Sequence, residues 1–444
     1  MIALICKELS KYNKQILNFC GLTLMMMFLI FSYAGISFHE ICFPLTVVLF
    51  IVDLYLYRKK QAFLFVDFYI FLYFLYLYFY FYKGSHMSIR TFYHKNQYFE
   101  NTCFLFYIFY FSQFLVFKKD HNSKKDNSLV VYNRIYLKRY EKIIILSLAL
   151  LLLVKTMTIG TDLIRNGFNY QAYIKNLESS SVVPMLFVVV LTVYAFSEKS
   201  KKSICFILSM FYLYFCISRG FRITAIPGIL VLYMAFMEGR IKNKLFYLGI
   251  ILSLMIVIIS GEIKDRGSFN LSNFLSSNSN KGGLISSHHT DILYTVCCVF
   301  GVVENGMIDS YQRLTLGISF FLQSIILPSM FPDSLRFPLA VFVKAENGGG
   351  GLFLAGAYLF WGFAGTFAFC YLLNKFLLSS YKSKSIKRRF IAAVVLVFSC
   401  NWISYDFHTI LRFPVYALIV LYFVKTIDWR LFFKNGKSTR CIND

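Results

Sequence analysis

Charge is scarce in this chain. Of its 444 residues only 15% are Asp, Glu, Lys or Arg, and only 22 are acidic. A soluble domain carries about 25% charge, so these residues cannot supply a water-facing surface of ordinary composition. The signatures of several common chemistries are missing too. No HExxH, GxSxG or CxxC occurs, which leaves zinc-peptidase, serine-hydrolase and dithiol readings without support. No DxD pair is present to hold a metal-bound nucleotide diphosphate, and no glycine run ends in the Lys-Ser or Lys-Thr of a nucleotide-binding loop. The eleven cysteines have no ligand spacing, and the adjacent Cys297 and Cys298 cannot easily bridge each other. The first apolar run lacks a small-residue cleavage site, so no cleavable signal peptide is expected. No inverted half-repeat stands out, which disfavours a transporter assembled from two similar halves.

What the chain has instead is apolar bulk. Hydrophobic residues make up 58%, with 51 Phe and 32 Tyr. Disorder requires low hydrophobicity and is excluded, and one soluble core cannot hide so many rings. The expected class is therefore all-α, a polytopic integral membrane protein. A helix crossing roughly 30 Å of hydrocarbon needs about 20 mostly apolar residues. Such runs lie near 16–37, 40–57, 62–82, 101–117, 143–160, 181–197, 203–218, 223–238 and 245–262, then near 352–378, 390–405 and 413–428. About twelve transmembrane helices follow, nine within 1–262 and three within 351–444, around one long external loop at about 263–350. The run 315–330 ends in Pro328 and Pro332 and reads as re-entrant or interfacial, with a thirteenth span as the rival.

The net charge of +24 would suggest nucleic acid in a soluble protein; here it orients the spans. With the N-terminus in the cytoplasm, 29 of the 46 Lys and Arg fall on cytoplasmic segments. Those segments are the N-terminus, Arg58–Lys60, the loop 118–142, 199–202, 240–244, 382–389 and the tail. This is the positive-inside bias, and it places both termini in the cytoplasm.

The remaining basic residues are the informative ones. Ser218-Arg219-Gly220-Phe221-Arg222 closes the seventh run at its external end. Guanidinium near hydrocarbon is costly, so it marks a functional site by default, and its planar fork matches phosphate oxygens. Snorkelling to lipid headgroups is the plainer alternative. Arg266, beside Gly267 where the ninth run ends, can join the same cavity mouth or pair locally with Glu262 and Asp265. Gly348, Gly349, Gly350 and Gly351 precede the tenth run; they either offer backbone N–H groups to an anion or form a hinge. Ala355, Gly356, Gly362 and Gly365 suit close helix packing. Asp406, His408 and Arg412 lie in the last external turn, and His288, His289 and Asp291 are rivals to His408 as a base.

The span count, the single dominant external loop late in the chain, the SRGFR turn and the GGGG-led span together resemble the Wzy-type O-antigen polymerases. These are similar to O-antigen ligases and to other lipid-dependent glycosyltransferases of the GT-C class. The resemblance covers the whole chain as topology, and its motifs cover few residues. Arginine–glycine pairs in two external loops are a family pattern, matched here by Arg219-Gly220 and Arg266-Gly267 without the full spacing. The resemblance implies an enzyme on the periplasmic face of a bacterial inner membrane. It would transfer a growing glycan from undecaprenyl diphosphate onto the next lipid-linked repeat unit, with no metal or other cofactor. Arg219, Arg222, Arg266 and Arg412 would hold the diphosphate; Gly348, Gly349 and Gly350 would form a backbone anion or acceptor loop. Glu346, His289 or His408 would serve as base. The expected partners are the undecaprenyl-diphosphate-linked oligosaccharide, membrane lipid, and chain-length-regulator and flippase proteins, with no nucleic acid. A ligase transferring the glycan to the lipid A core is the nearest rival, and a polysaccharide flippase a more distant one. In the Asn280→Cys variant, a membrane-impermeant maleimide should label the new thiol from outside intact cells; labelling only after lysis would overturn the orientation.

Overall fold

The computed structural model describes residues 39–82, 96–116, 128–131, 134–159, 182–218, 222–250, 287–324, 351–404 and 407–426. The run 16–37 and most of 245–262 lie outside them. Among the described residues the chain is all-helical, with one isolated bridge between Ile135 and Ser197. The helices are α1 His39–Leu56, α2 Gln61–Tyr82, α3 Asn96–Val116, α4 Arg139–Met157, α5 Val182–Ala195, α6 Lys202–Ser218, α7 Arg222–Phe236, α8 Ser287–Glu304, α9 Ser310–Gln323, α10 Phe353–Ser380, α11 Ile386–Val397, α12 Ser399–Ser404 and α13 Thr409–Thr426. Ten of the apolar runs coincide with helical stretches. One of them, 390–405, is divided between α11 and α12 at Phe398, and the Trp402 indole N–H bridges the break to the Val395 carbonyl at 2.9 Å.

The interval 263–350 departs from the expected loop. It contains α8, whose run from Ile292 to Val302 packs into the core, and then α9. A capping box starts α9: the Asp309 carboxylate accepts from the Gln312 N–H at 2.6 Å, and the Gln312 side chain accepts from the Asp309 N–H at 3.1 Å. The 14 residues of α9 reach about 21 Å, too short for the roughly 30 Å of a crossing. The rest of the run 315–330, from residue 325 on, lies outside the described residues.

Two kinds of helix make up the bundle. In α5 every residue from Met185 to Ala195 but Leu186 is buried, as a helix apolar on all sides must be when it is central. By contrast α4 and α6 turn apolar stripes outward. Ile143, Leu150, Leu151 and Val154 are 57–63% exposed, and Phe206, Ile207, Met210, Phe211 and Tyr214 are 49–64% exposed. Stripes of this kind facing water would be costly, and they fit a hydrocarbon surround. By length and composition α10 and α13 can each cross a membrane.

At one end of the bundle the basic loops meet, and their polar groups are matched. Arg134 donates to the Ala195 and Ser197 carbonyls at 3.3 and 3.2 Å and to the Ala235 carbonyl at 2.5 Å. One guanidinium thus closes the C-terminal ends of α5 and α7, where carbonyls lack intrahelical donors. Gln61 donates to the Ile241 carbonyl and the Asn243 side chain and accepts from the Tyr233 hydroxyl. Glu238, fully buried just past the end of α7, accepts from the Ser128 hydroxyl and the Leu129 N–H at 3.0 Å each and from the Tyr381 hydroxyl at 2.9 Å. Burial pushes this carboxyl up to about 7, and its donors from Leu129, Tyr381, Ser128 and the Ala62 backbone pull the other way. The knot ties the 128–131 segment to the ends of α7 and α10. Glu238→Ala strands three donors, and stranded buried donors cost about 1–3 kcal/mol each. We therefore expect a loss on the order of 3 kcal/mol, read as an early melt in detergent, with Tyr381→Phe costing about 1 kcal/mol.

Candidate catalytic site beneath helix α9

The site begins with a break. Gly362 lies within α10 at φ 65° and ψ −169°, a region open essentially to glycine alone. The order of contacts along α3 reverses there. Phe353 lies against Phe109 at 5.8 Å, Phe363 against Phe104 at 5.0 Å, and Phe367 against Phe111 at 6.3 Å. Trp361 and Phe369 stack at 5.9 Å, which eight residues of unbroken helix, about 12 Å of rise, would not allow. The first part of α10 therefore folds back against the second.

Helix α9 covers this fold. Arg313 reaches from it to the last carbonyls before the break, with Nε on Leu359 O at 2.7 Å and Nη2 on Tyr358 O at 2.8 Å. The guanidinium replaces the helical donors that Gly362 removes. Gly317 of α9 faces the Trp361 indole so closely that a Cβ there would meet Nε1 at 2.8 Å. At its C-terminal end, Gln323 offers its backbone carbonyl to Nη2 of Arg412, and the Ser324 hydroxyl reaches the His408 carbonyl at 3.5 Å. Phe320 stacks on Phe407 at 4.4 Å, and Phe369 meets the same ring edge-on at 5.0 Å. Gly356 leaves room for Phe407, since a Cβ there would fall 2.9 Å from the ring.

Under this cover lie His408 and Arg412, at the start of α13. The sequence placed them in an exposed external turn; instead His408 is 1% exposed and Arg412 half-buried. The reason is the folding of α9 across the turn, which hydropathy does not report. Burial holds the His408 imidazole well below its ordinary range, and the Arg412 guanidinium adds to the effect. The imidazole is therefore held in its neutral form at neutral pH, able to hydrogen-bond with either ring nitrogen but a weaker base than a free histidine. A guanidinium one helical turn away suits an oxyanion or phosphate.

Of the residues singled out in the sequence, the structure brings together His408 and Arg412. Arg222 opens α7 and His289 lies in the first turn of α8, with side chains outside the described part. Arg219, Arg266, Glu346, Gly348, Gly349 and Gly350 fall outside the described residues. The close packing expected of Gly356 and Gly365 is seen, Gly356 against Phe407 and Gly365 against Trp361, whereas Gly362 serves the reversal instead. Arg313 escaped the sequence reading, although an arginine between the apolar positions of a short amphipathic helix was its signal. Among the described residues no group of three or more His, Cys, Asp or Glu converges as metal ligands would. Comparison with known proteins finds no matching family model, no similar curated protein and no similar solved structure.

Folded His408 resists a proton that the unfolded chain accepts near its usual value of 6.5. Its contribution to stability is therefore complete above that pH and is lost as the pH falls below it. We expect the melting temperature of His408→Gln to fall less than that of the wild type between about pH 7 and 5. Equal falls would mean that the imidazole titrates alike in both states.

Proposed function

We propose that the chain is a polytopic membrane enzyme of about twelve spans that polymerises oligosaccharide repeat units carried on a polyprenyl diphosphate. The observation that carries this reading is the pairing of neutral His408 with Arg412 beneath α9, at the end of the bundle opposite the basic loops. With the basic end in the cytoplasm, as the positive-inside bias requires, this site faces the periplasm. Such a reaction needs a base for an acceptor hydroxyl and fixed positive charge for a departing lipid diphosphate. His408 is the base in this scheme. Arg412, together with Arg219, Arg222 and Arg266 from the SRGFR turn and the end of the ninth run, binds the diphosphate. The outward apolar stripes of α4 and α6 and the membrane-length helix α13 support placement in the bilayer. The reading requires no nucleotide sugar and no metal.

A ligase acting on the lipid A core is the second reading, since it needs the same donor and the same two chemical groups. Loss of the gene separates the two. A surface glycan reduced to a single repeat on the core supports the polymerase, and loss of both ladder and single repeat supports the ligase or a flippase. Arg219→Ala should lower chain extension by about 100-fold or more while the protein still inserts. A wild-type ladder from this variant would remove Arg219 from the diphosphate site.

A further inference from the structure

A second polar cluster lies at the basic end of the bundle, away from His408, and the proposed polymerisation makes no use of it. Asp53 sits in the last turn of α1 and Asp67 in the second turn of α2, and both are 0% exposed. One oxygen of Asp67 accepts from Nε2 of Gln113 on α3 at 2.5 Å. Its other oxygen, both carboxyl oxygens of Asp53 and Oε1 of Gln113 are buried without a donor. The two carboxyls act on each other through space, and Tyr110 lies within the electrostatic range of both. Nearby donors are committed elsewhere. The Tyr110 hydroxyl donates to the Asp67 backbone carbonyl at 2.9 Å, and the Tyr57 hydroxyl to the Gln113 carbonyl at 2.8 Å. The Lys60 ammonium lies over the Tyr57 ring at 5.5 Å.

Four buried oxygens without a donor define what is missing. A carboxylate taken out of water needs a partner, and two neighbouring carboxylates need one more urgently. The Gln113 amide oxygen, on a side chain that donates to Asp67, is likewise buried without a donor. All the exposed lone pairs are on oxygen, which selects hard cations over those that prefer imidazole or thiolate. Calcium takes six to eight oxygens and magnesium keeps several waters, whereas three side chains here supply at most five oxygens. We propose that Asp53, Asp67 and Gln113 form a buried cation site that takes a proton or a sodium ion in competition for the same oxygens. Its occupant joins α1, α2 and α3 and makes their packing answer to pH or to sodium. The site does not rest on the polymerisation reading.

Dicyclohexylcarbodiimide tests it, because this apolar reagent adds only to a protonated carboxyl. The full chain in detergent is treated and the adduct located by peptide mass spectrometry. We expect label on Asp53 or Asp67 at a pH where an isolated carboxylic acid is ionised and unreactive, falling several-fold as the pH is raised further. A further several-fold fall in sodium chloride relative to choline chloride identifies sodium as the competitor. Label that follows pH and ignores sodium identifies the proton as the sole occupant. Asp53→Asn, nearly isosteric, should leave Asp67 with neither sodium protection nor the wild-type pH profile. An unchanged Asp67 profile in that variant, or no label on either aspartate at any pH, would overturn the proposal.

Discussion

The bundle depends on how it disposes of helix ends that have no water to turn to. Arg134 alone closes two of them, at Ala195 and Ala235, and Arg389 donates to the Ser383 and Ser128 carbonyls. Glu238 takes the reverse part and gathers donors from three segments far apart in the chain. Each group is ionisable, and each is used where a carbonyl or an N–H would otherwise be stranded. The same economy recurs at the other end, where Arg313 and Arg412 finish the helices around α9. Arginine serves here because one fork reaches several carbonyls at once.

These matches also decide where chemistry can occur. A guanidinium held by a carbonyl keeps its position with little loss of motional freedom when a ligand arrives, so in the proposed reading Arg412 is set in place in advance. His408 gains from the same cover. Excluding water keeps it neutral, and the aromatic cluster of Phe320, Phe353, Phe360, Phe369 and Phe407 excludes water without offering competing hydrogen bonds. Base and cation thus owe their states to α9, a helix that itself contributes no titrating group to the pair.

Much of the helical framework was legible in the sequence, because a long apolar run has few alternatives. Helix α8 was not, since its apolar stretch follows a Ser, Asn and Gly-rich segment and is short. The break in α11 and α12 was equally hidden: nothing in the hydropathy around Phe398 differs from its neighbours. Of the site, His408 and Arg412 were legible as residue types in an external turn, and their burial was not. Burial depends on a contact across more than 80 residues of chain, from Gln323 and Ser324 to the turn. Asp53 and Asp67 were visible as charges in apolar runs, but only packing shows that they share a neighbour on α3.

The reversal at Gly362 changes how this chain is counted. Hydropathy sees 28 consecutive residues in α10 and scores one generous crossing. In fact the portion up to Trp361 runs back along the stretch from Phe363 to Ser380, and only that second stretch reaches the basic end, where Tyr381 meets Glu238. A single substitution at Gly362 would therefore do more than strain one residue. By straightening the chain it would turn two antiparallel pieces into one rod of about 40 Å, and the stacking of Trp361 on Phe369 would be lost with the fold.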